Sequence, residues 1–441
     1  MKRSYARLFL SLAPLMAAAC VAAPPCAGQP AAADTVPLAM RRAAFEIVWN
    51  KVDETFWDRA LLAERDWPGM RERYLPRALA ASGSAEYHRV LHEMVRELRL
   101  SHFAVVGPGA VREAWARPRR ATGDAGLRLR LLDGEAVVTR LDAGGAAERA
   151  EIRAGFIIDS IDGAHVARAG AAGAAPPPPG ELPAAVSAAL EGPLGSPLRI
   201  AYRDGAGEAR SVTFARGRRS GRFRRITVFG IPFPGIPPQY GEVEARRLAG
   251  GVGYVRFSSF LQSLRPQVVR AIRSMRDAPG LIIDLRGNPG GQDSMGRRVA
   301  NLLVERRARF IVTHKRGGPE VFEVQPDEPG FRGPVVVLMD GGSGSAAEQF
   351  AAGLQELRRV TVVGERSMGR DLDATLMKLP TGGMFQYAYG EVRTPSGVVI
   401  EGRGVVPDVK VPLTREALLA GRDPQMEAAL AVIHAAARPG R

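Results

Sequence analysis

The chain has 441 residues, room for two or three domains and a large core, and its composition, 46% hydrophobic and 24% charged, is that of a soluble globular protein. Its net charge of +15 rests mostly on arginines scattered along the chain, with no nucleic-acid motif beside them, so a solvated basic surface is favoured over a polyanion site. The two cysteines, Cys20 and Cys26, lie in or just after an N-terminal apolar run, which excludes disulfides and thiolate metal sites from the body of the protein.

Residues 1–28 have the layout of a secretory signal: Lys2, Arg3 and Arg7 precede an apolar run from Leu8 to Ala23 that is too short for a membrane span. Removing these three basic residues leaves a net charge of +12. The segment from Ala17 to Cys20 loosely resembles a lipoprotein cleavage box, with Ala17 where leucine is usual. Soluble export to the periplasm or cell envelope is the first reading, and a lipid anchor at Cys20 the second.

Further along, Phe45, Val48, Trp49, Val52 and Phe56 form one helical stripe. Ser84 is expected to cap a second helix with the face Tyr87, Val90, Leu91, Met94, Val95 and Leu98. Each stripe needs the other to hide it, so residues 35–115 are expected to form a small helical domain that ends in Ser101-His102. On local grounds His102 is either a structural histidine or a general base.

From Gly126 short strand-like runs replace the helical pattern, with a turn at Ile161-Asp162-Gly163. In the order of its elements and in AEIRAGFIIDSIDG, the stretch 120–217 resembles a PDZ domain, with an exposed Ala-, Gly- and Pro-rich insertion from Ala167 to Pro183. That resemblance implies capture of an extended peptide by strand addition, with its terminal carboxylate on the loop at Gly126 and Leu127. The family's four-residue loop is not cleanly reproduced there.

Residues 221–441 alternate strands and helices, which predicts an α/β domain with a substantially parallel sheet. The predicted elements are Val252 to Phe257, Val268 to Met275, Leu281 to Leu285, Met295 to Val304, Val335 to Met339, Ala346 to Leu357 and Val360 to Val363. LIIDLRGNPGG ends its strand in a turn where Gly290 and Gly291 can present N–H groups. PVVVLMDGGSGSAAEQFAAGLQEL reads as a buried strand, a glycine-rich turn and an amphipathic helix, with Ser345 at the turn. There Ser345 is either a nucleophile beside the first helical amides or the N-cap of a Ser345-to-Glu348 capping box.

Taken together, LIIDLRGNPGG, GGSGSAAEQFAAGLQELRRVTVVGERSMGR, TPSGVVIEGRGVVPD and the PDZ-like stretch resemble the C-terminal processing, or tail-specific, serine protease family. The resemblance implies a ClpP/crotonase-like α/β catalytic domain with an inserted PDZ-like β domain and an N-terminal helical domain, and it places the nucleophile on Ser345. The family's usual lysine base falls on Arg370, which cannot give up its proton at working pH. FEIVWNKVDETFWDRALLAERDWPGMRERYLP and LHEMVRELRLSHF resemble the tricorn-like branch, which uses a histidine from an S-H pair and a glutamate from an E-x-x-G-V-x-P-D segment. These fall on Ser101, His102 and Glu401. Where the branch has glycine and an acidic residue before S-H, this chain has Arg99 and Leu100.

The implied machinery is Ser345, His102, Ser101 and Glu401, with the Ala346 amide and one from Gly290 or Gly291 holding the oxyanion. It requires no cofactor and no metal. The expected partners are proteins or peptides with free C-termini, not nucleic acid, and no membrane span is expected beyond the alternative of a lipid anchor at Cys20. The competing reading is a catalytically inactive scaffold that binds peptide tails.

Overall fold

Valine and isoleucine runs build the central layer. In the computed structural model the strands Gly253–Phe257, Leu281–Asp284, Val335–Met339, Thr361–Gly364 and Val409–Lys410 pair in parallel in that order, with Val243–Arg247 antiparallel at one edge. The model describes residues 36–115, 122–166, 182, 184–219, 221–224, 227–228, 231–232 and 239–436. The expected signal at 1–28 with Cys20 and Cys26, and the insertion from Ala167 to Pro183 apart from Leu182, lie outside them.

Every residue of Val335–Met339 is buried, because helices cover the sheet on both sides. Alternate residues go to opposite faces. Val335, Val337 and Met339 join Val268, Ile272, Val299, Phe350 and Leu354 from three helices, whereas Val336 and Leu338 meet Ala429 and Ile433 of the last helix, Pro424–Ala436.

A second, antiparallel sheet stands beside the first. Its order is Ala104–Val106, Met384–Arg393, Ala308–Lys315, Gly318–Val324, and Leu372–Lys378 also pairs with Met384–Arg393. The strand–helix alternation gave no sign of the hairpin 308–324, in which charged residues alternate with Phe, Ile and Val as in a half-exposed strand.

The N-terminal helices are Leu38–Thr55, Arg59–Glu64, Trp67–Ala80 and Ser84–Arg96. Ser84 is not the cap expected of it. Gly83 holds the extended cap position, and Ser84 is buried in the first turn with its hydroxyl 3.4 Å from His88 Nδ1. The entry is closed instead by Glu86, whose Oε2 accepts from Ser82 N–H at 2.8 Å and Ser82 O–H at 2.6 Å. The stripes are hidden partly against each other and partly against the second sheet: Phe45, Trp67, Tyr87 and Met94 share one core with Leu372, Leu379, Phe385 and Ala388.

Between these layers in sequence lies an antiparallel sheet, Leu127–Leu132, Glu135–Leu141, Ile157–Ile161, Pro197–Arg203 and Ala209–Ala215, with short helices Ala146–Arg149 and Ala184–Leu190 packed on it. Leu127–Leu132 is its edge strand. Among the described residues no helix is long and apolar enough to cross a membrane.

Phe385 is fully buried where the N-terminal helices meet the second sheet. Phe385→Ala should lower the unfolding free energy by about 3–5 kcal/mol in a urea titration. Val321→Ala, on the exposed face of the outer hairpin strand, should stay within about 0.5 kcal/mol of the parent.

Candidate active site

The turn after Val335–Met339 is tied to the turn after Leu281–Asp284 by one carboxylate. Asp340 Oδ1 accepts the N–H of Gly287 at 2.8 Å and of Gly342 at 2.9 Å. Ser345 then enters the helix Ala346–Glu356 with φ 50° and ψ −124°, a conformation costly for a residue with a side chain. Its N–H is held by Arg370 O at 3.0 Å and Glu348 Oε2 at 2.9 Å, and its carbonyl accepts Glu348 N–H at 2.6 Å. The glutamate of the capping box thus fixes the strained turn, and the cap and nucleophile readings of this segment are compatible.

Gly290 approaches this turn so closely that a Cβ would lie 2.7 Å from Ser345 Cβ and 2.8 Å from Ala346 N. Its own N–H points inward, donating to Asn288 Oδ1 at 2.9 Å, so Gly290 supplies space rather than a donor. The N–H groups of Ala346 and Gly291 make no hydrogen bond among the described residues.

On the opposite wall, Leu98 and Phe103 are buried on either side of Ser101-His102, and Ala104–Val106 pairs with Met384, Phe385 and Gln386. The pair is therefore pinned between a helix end and a sheet, and His102 takes a left-handed φ of 60°. Ser101 O–H donates to Glu401 Oε2 at 2.8 Å, and Ser101 N–H to Glu401 Oε1 at 2.7 Å. The Ser101 hydroxyl, its proton committed to Glu401, lies 2.6 Å from His102 Nδ1. It can only accept there, so Nδ1 carries the imidazole proton and Nε2 keeps a lone pair.

Ser101, His102, Ser345 and Arg370 line one open cleft with Pro289 and Gln386. Among the described residues no hydrogen bond joins the Ser345 hydroxyl to His102, where the tricorn-like reading expects one. Both line the cleft, and catalytic hydrogen bonds are often long or unmade before substrate binds. Burial, and then the Arg370 guanidinium, hold the His102 ring down at about 4. The cation acting on the imidazole is thus Arg370, while Arg99 sits exposed at the helix end.

Two residues that the sequence reading did not assign to the site knit it together. The buried Glu348 carboxylate also accepts from Ser367 O–H at 2.5 Å, Gly369 N–H at 2.7 Å and Arg370 N–H at 3.0 Å. Burial pushes this carboxyl up and those donors pull it back. Asp371 donates its N–H to Glu401 Oε2 at 2.8 Å. The capping box did mark Glu348; nothing local marked Asp371.

Away from the cleft, a cavity of about 1000 Å³ lies between the antiparallel sheet of residues 127–215 and the central parallel sheet, lined among others by Leu127, Leu129, Arg130, Val186 and Tyr254. At its rim the N–H of Gly126 (φ 75°) donates to Asp124 Oδ1, and that of Ala125 to Leu190 O at 3.2 Å. Asp124 Oδ2 lies 3.5 Å from Arg128 Nη1 and 3.7 Å from Arg219 Nε. A protein carboxylate therefore already occupies the Gly126 amide, and Leu127 opens the edge strand beside it. Among the described residues no group of three or more His, Cys, Asp or Glu is arranged to hold a metal ion.

A model described as peptidase family S41 matches residues 251–411, and one described as the tricorn protease C1 domain matches residues 37–96. A chloroplastic C-terminal processing peptidase of Tetradesmus obliquus is 27% identical over 376 residues, covering 82% of this chain and 75% of that protein. A carboxyl-terminal-processing protease of Synechocystis sp. is 32% identical over 200 residues, 44% of this chain and 47% of that one. The solved photosystem II D1 C-terminal processing protease shares the fold, with a TM-score of 0.58 at 24% identity over 90% of this chain and 98% of its own. Residues 251–411 thus carry a peptidase family S41 domain and residues 37–96 a tricorn C1 domain, and the chain is a serine-type peptidase related to the carboxyl-terminal processing proteases.

Proposed function

We propose that this peptidase cuts polypeptides with Ser345 as nucleophile and His102, oriented by Ser101 and Glu401, as general base. The observation that carries the reading is the Ser101 hydroxyl between His102 Nδ1 and Glu401 Oε2. It leaves Nε2 free to take the Ser345 proton as the hydroxyl attacks the scissile carbonyl. The imidazolium then returns that proton to the leaving amine, and water repeats the cycle on the acyl-enzyme. Glu401 stabilises the imidazolium through Ser101. The Ala346 and Gly291 N–H groups hold the oxyanion, with Gly290 keeping the space clear. Arg370, in place of a lysine base, keeps the resting imidazole neutral.

The finer assignments are part of the same proposal. The α/β domain is ClpP/crotonase-like, the β domain is PDZ-like and adds a substrate strand along Leu127–Leu132, and the protein acts after export, anchored at Cys20 or free. Free C-termini reach the Gly126 and Leu127 loop by displacing Asp124. The open cleft between His102 and Ser345 favours the alternative, an inactive tail-binding scaffold. Fluorophosphonate labelling of Ser345 separates the two.

Ser345→Ala and His102→Ala should each lower kcat by several orders of magnitude while the protein stays folded by circular dichroism. Full turnover by either would overturn the assignment.

With His102 held near 4, its unprotonated form persists well below pH 6.5, so kcat/KM should fall only as pH drops through about 4. Arg370→Gln removes one of the two causes and should move that acid limb upward. The same depression means that stability is lost as pH falls from about 6.5 to about 4, where the unfolded chain binds the proton and the folded chain does not.

Asp124→Ala should raise the affinity of Ser345→Ala protein for a free-acid peptide over its amidated twin in fluorescence polarisation. An unchanged acid-to-amide ratio would remove carboxylate capture at this loop.

A further inference from the structure

We infer that Asp371 is a positioning residue for Glu401 and that it does this work as a neutral, protonated acid; the inference rests on the Ser345–His102–Ser101–Glu401 reading. Asp371 is fully buried in a group of four carboxyls, with Glu348 on the nucleophile helix, Asp373 two residues along and Glu401 on the facing turn. Hydrogen-bond donors are shared unequally among them. Glu348 accepts from four groups, and Glu401 accepts from Ser101 N–H, Ser101 O–H and Asp371 N–H. Asp373 takes the Thr313 hydroxyl at 2.5 Å and a longer contact of 3.4 Å from Gln349 Nε2. The Asp371 side chain has only Gln349 Nε2, 2.9 Å from Oδ1, and its Oδ2 is buried with no partner.

A buried carboxylate oxygen without a donor bears nearly the whole desolvation cost of its charge, whereas a neutral acid escapes most of it. The proton therefore settles on the carboxyl with the fewest donors. Burial, followed by the charge of Glu348, pushes the Asp371 carboxyl well above the usual carboxylate range, in the same direction. The charged groups facing it are Glu348 from the helix, Asp373 from the strand Leu372–Lys378 that follows it, and Glu401 from the turn. Lys315, from the neighbouring strand, acts on Asp373, and Arg370 acts on His102.

The proton matters for the tetrad because the Asp371 N–H binds Glu401 Oε2, the oxygen that also takes the Ser101 proton. A second negative charge here would repel Glu401 and raise the affinity of His102 for a proton. Neutral Asp371 leaves Glu401 as the one anion coupled to the imidazole through Ser101, and its side chain, held by Gln349, fixes the backbone N–H that aims Glu401.

Asp371→Asn keeps the shape and adds no charge. It should leave kcat/KM within about threefold of the parent and leave the acid limb in place, while Asp371→Ala, which loses the Gln349 contact, should lower kcat about tenfold at unchanged KM. Difference infrared spectra at neutral pH should show a protonated-carboxyl C=O band in the parent that Asp371→Asn lacks. The proposal is overturned if that band is absent, if the asparagine variant shifts the acid limb downward as the removal of an anion would, or if the alanine variant turns over normally. The infrared band is readable in Ser345→Ala protein too, so failure of the tetrad assignment is told apart from failure of this one.

Discussion

The geometry around Ser345 hangs on one buried carboxylate. Glu348, in the first turn of the helix that follows Ser345, gathers the Ser345 N–H, the Ser367 hydroxyl and the N–H groups of Gly369 and Arg370. A fully buried charge is tolerable only when it is satisfied this completely, and the satisfaction is mutual: four donors from two segments are fixed by one acceptor. The strained backbone of Ser345 is thereby joined to the stretch that carries Arg370 and Asp371, and through Asp371 N–H to Glu401. Ser101 and His102 complete the line, 300 residues away in sequence from Glu401.

An arginine where a lysine base is usual has an electrostatic consequence. A guanidinium gives up no proton, so the proposed mechanism takes its base from His102 instead. Together with burial, the guanidinium charge disfavours the protonated imidazole, which in the proposed mechanism keeps the resting base available but weak. In the same proposed mechanism Glu401 acts in the opposite sense: through Ser101 it offers the imidazolium a counter-charge once the proton arrives. The pair of influences separates the resting state from the reacting state, the difference a general base has to exploit.

His102 lines one cleft with Ser345 because the N-terminal helices share their core with the second sheet. Part of their apolar face is closed by Phe385, Leu379 and Leu372 of the second sheet, and Ala104–Val106 adds itself to that sheet. Packing at this seam holds Ser101 and His102 against the second sheet. The openness of the cleft is accordingly a property of how two layers dock, not of His102 or Ser345 alone.

Much was legible in the residues themselves. The β-branched run Val335–Met339, the glycine turn, the capping box at Glu348 and the stripe of Phe45, Val48 and Val52 are local signals whose physics acts over a few residues, and the helices and central parallel strands formed where they pointed. The resemblance further picked out Ser101, His102, Ser345 and Glu401, and the fold brings all four to one corner. Other features had no local mark. Ser84 looks like a cap until Gly83 and Glu86 take that role, and the hairpin 308–324 hides behind charged residues because one of its faces is exposed. Gly290 looks like an oxyanion donor until Asn288 claims its N–H, and Gly126 like a carboxylate site until Asp124 fills it. Asp371 is an ordinary aspartate in the sequence; burial beside three other carboxyls makes it a group with one donor too few. Sequence by itself determined what each segment can form, since propensity and periodicity are short-range. The tertiary structure alone decided which polar group satisfies which, because a buried donor takes the acceptor nearest in space, however distant in the chain.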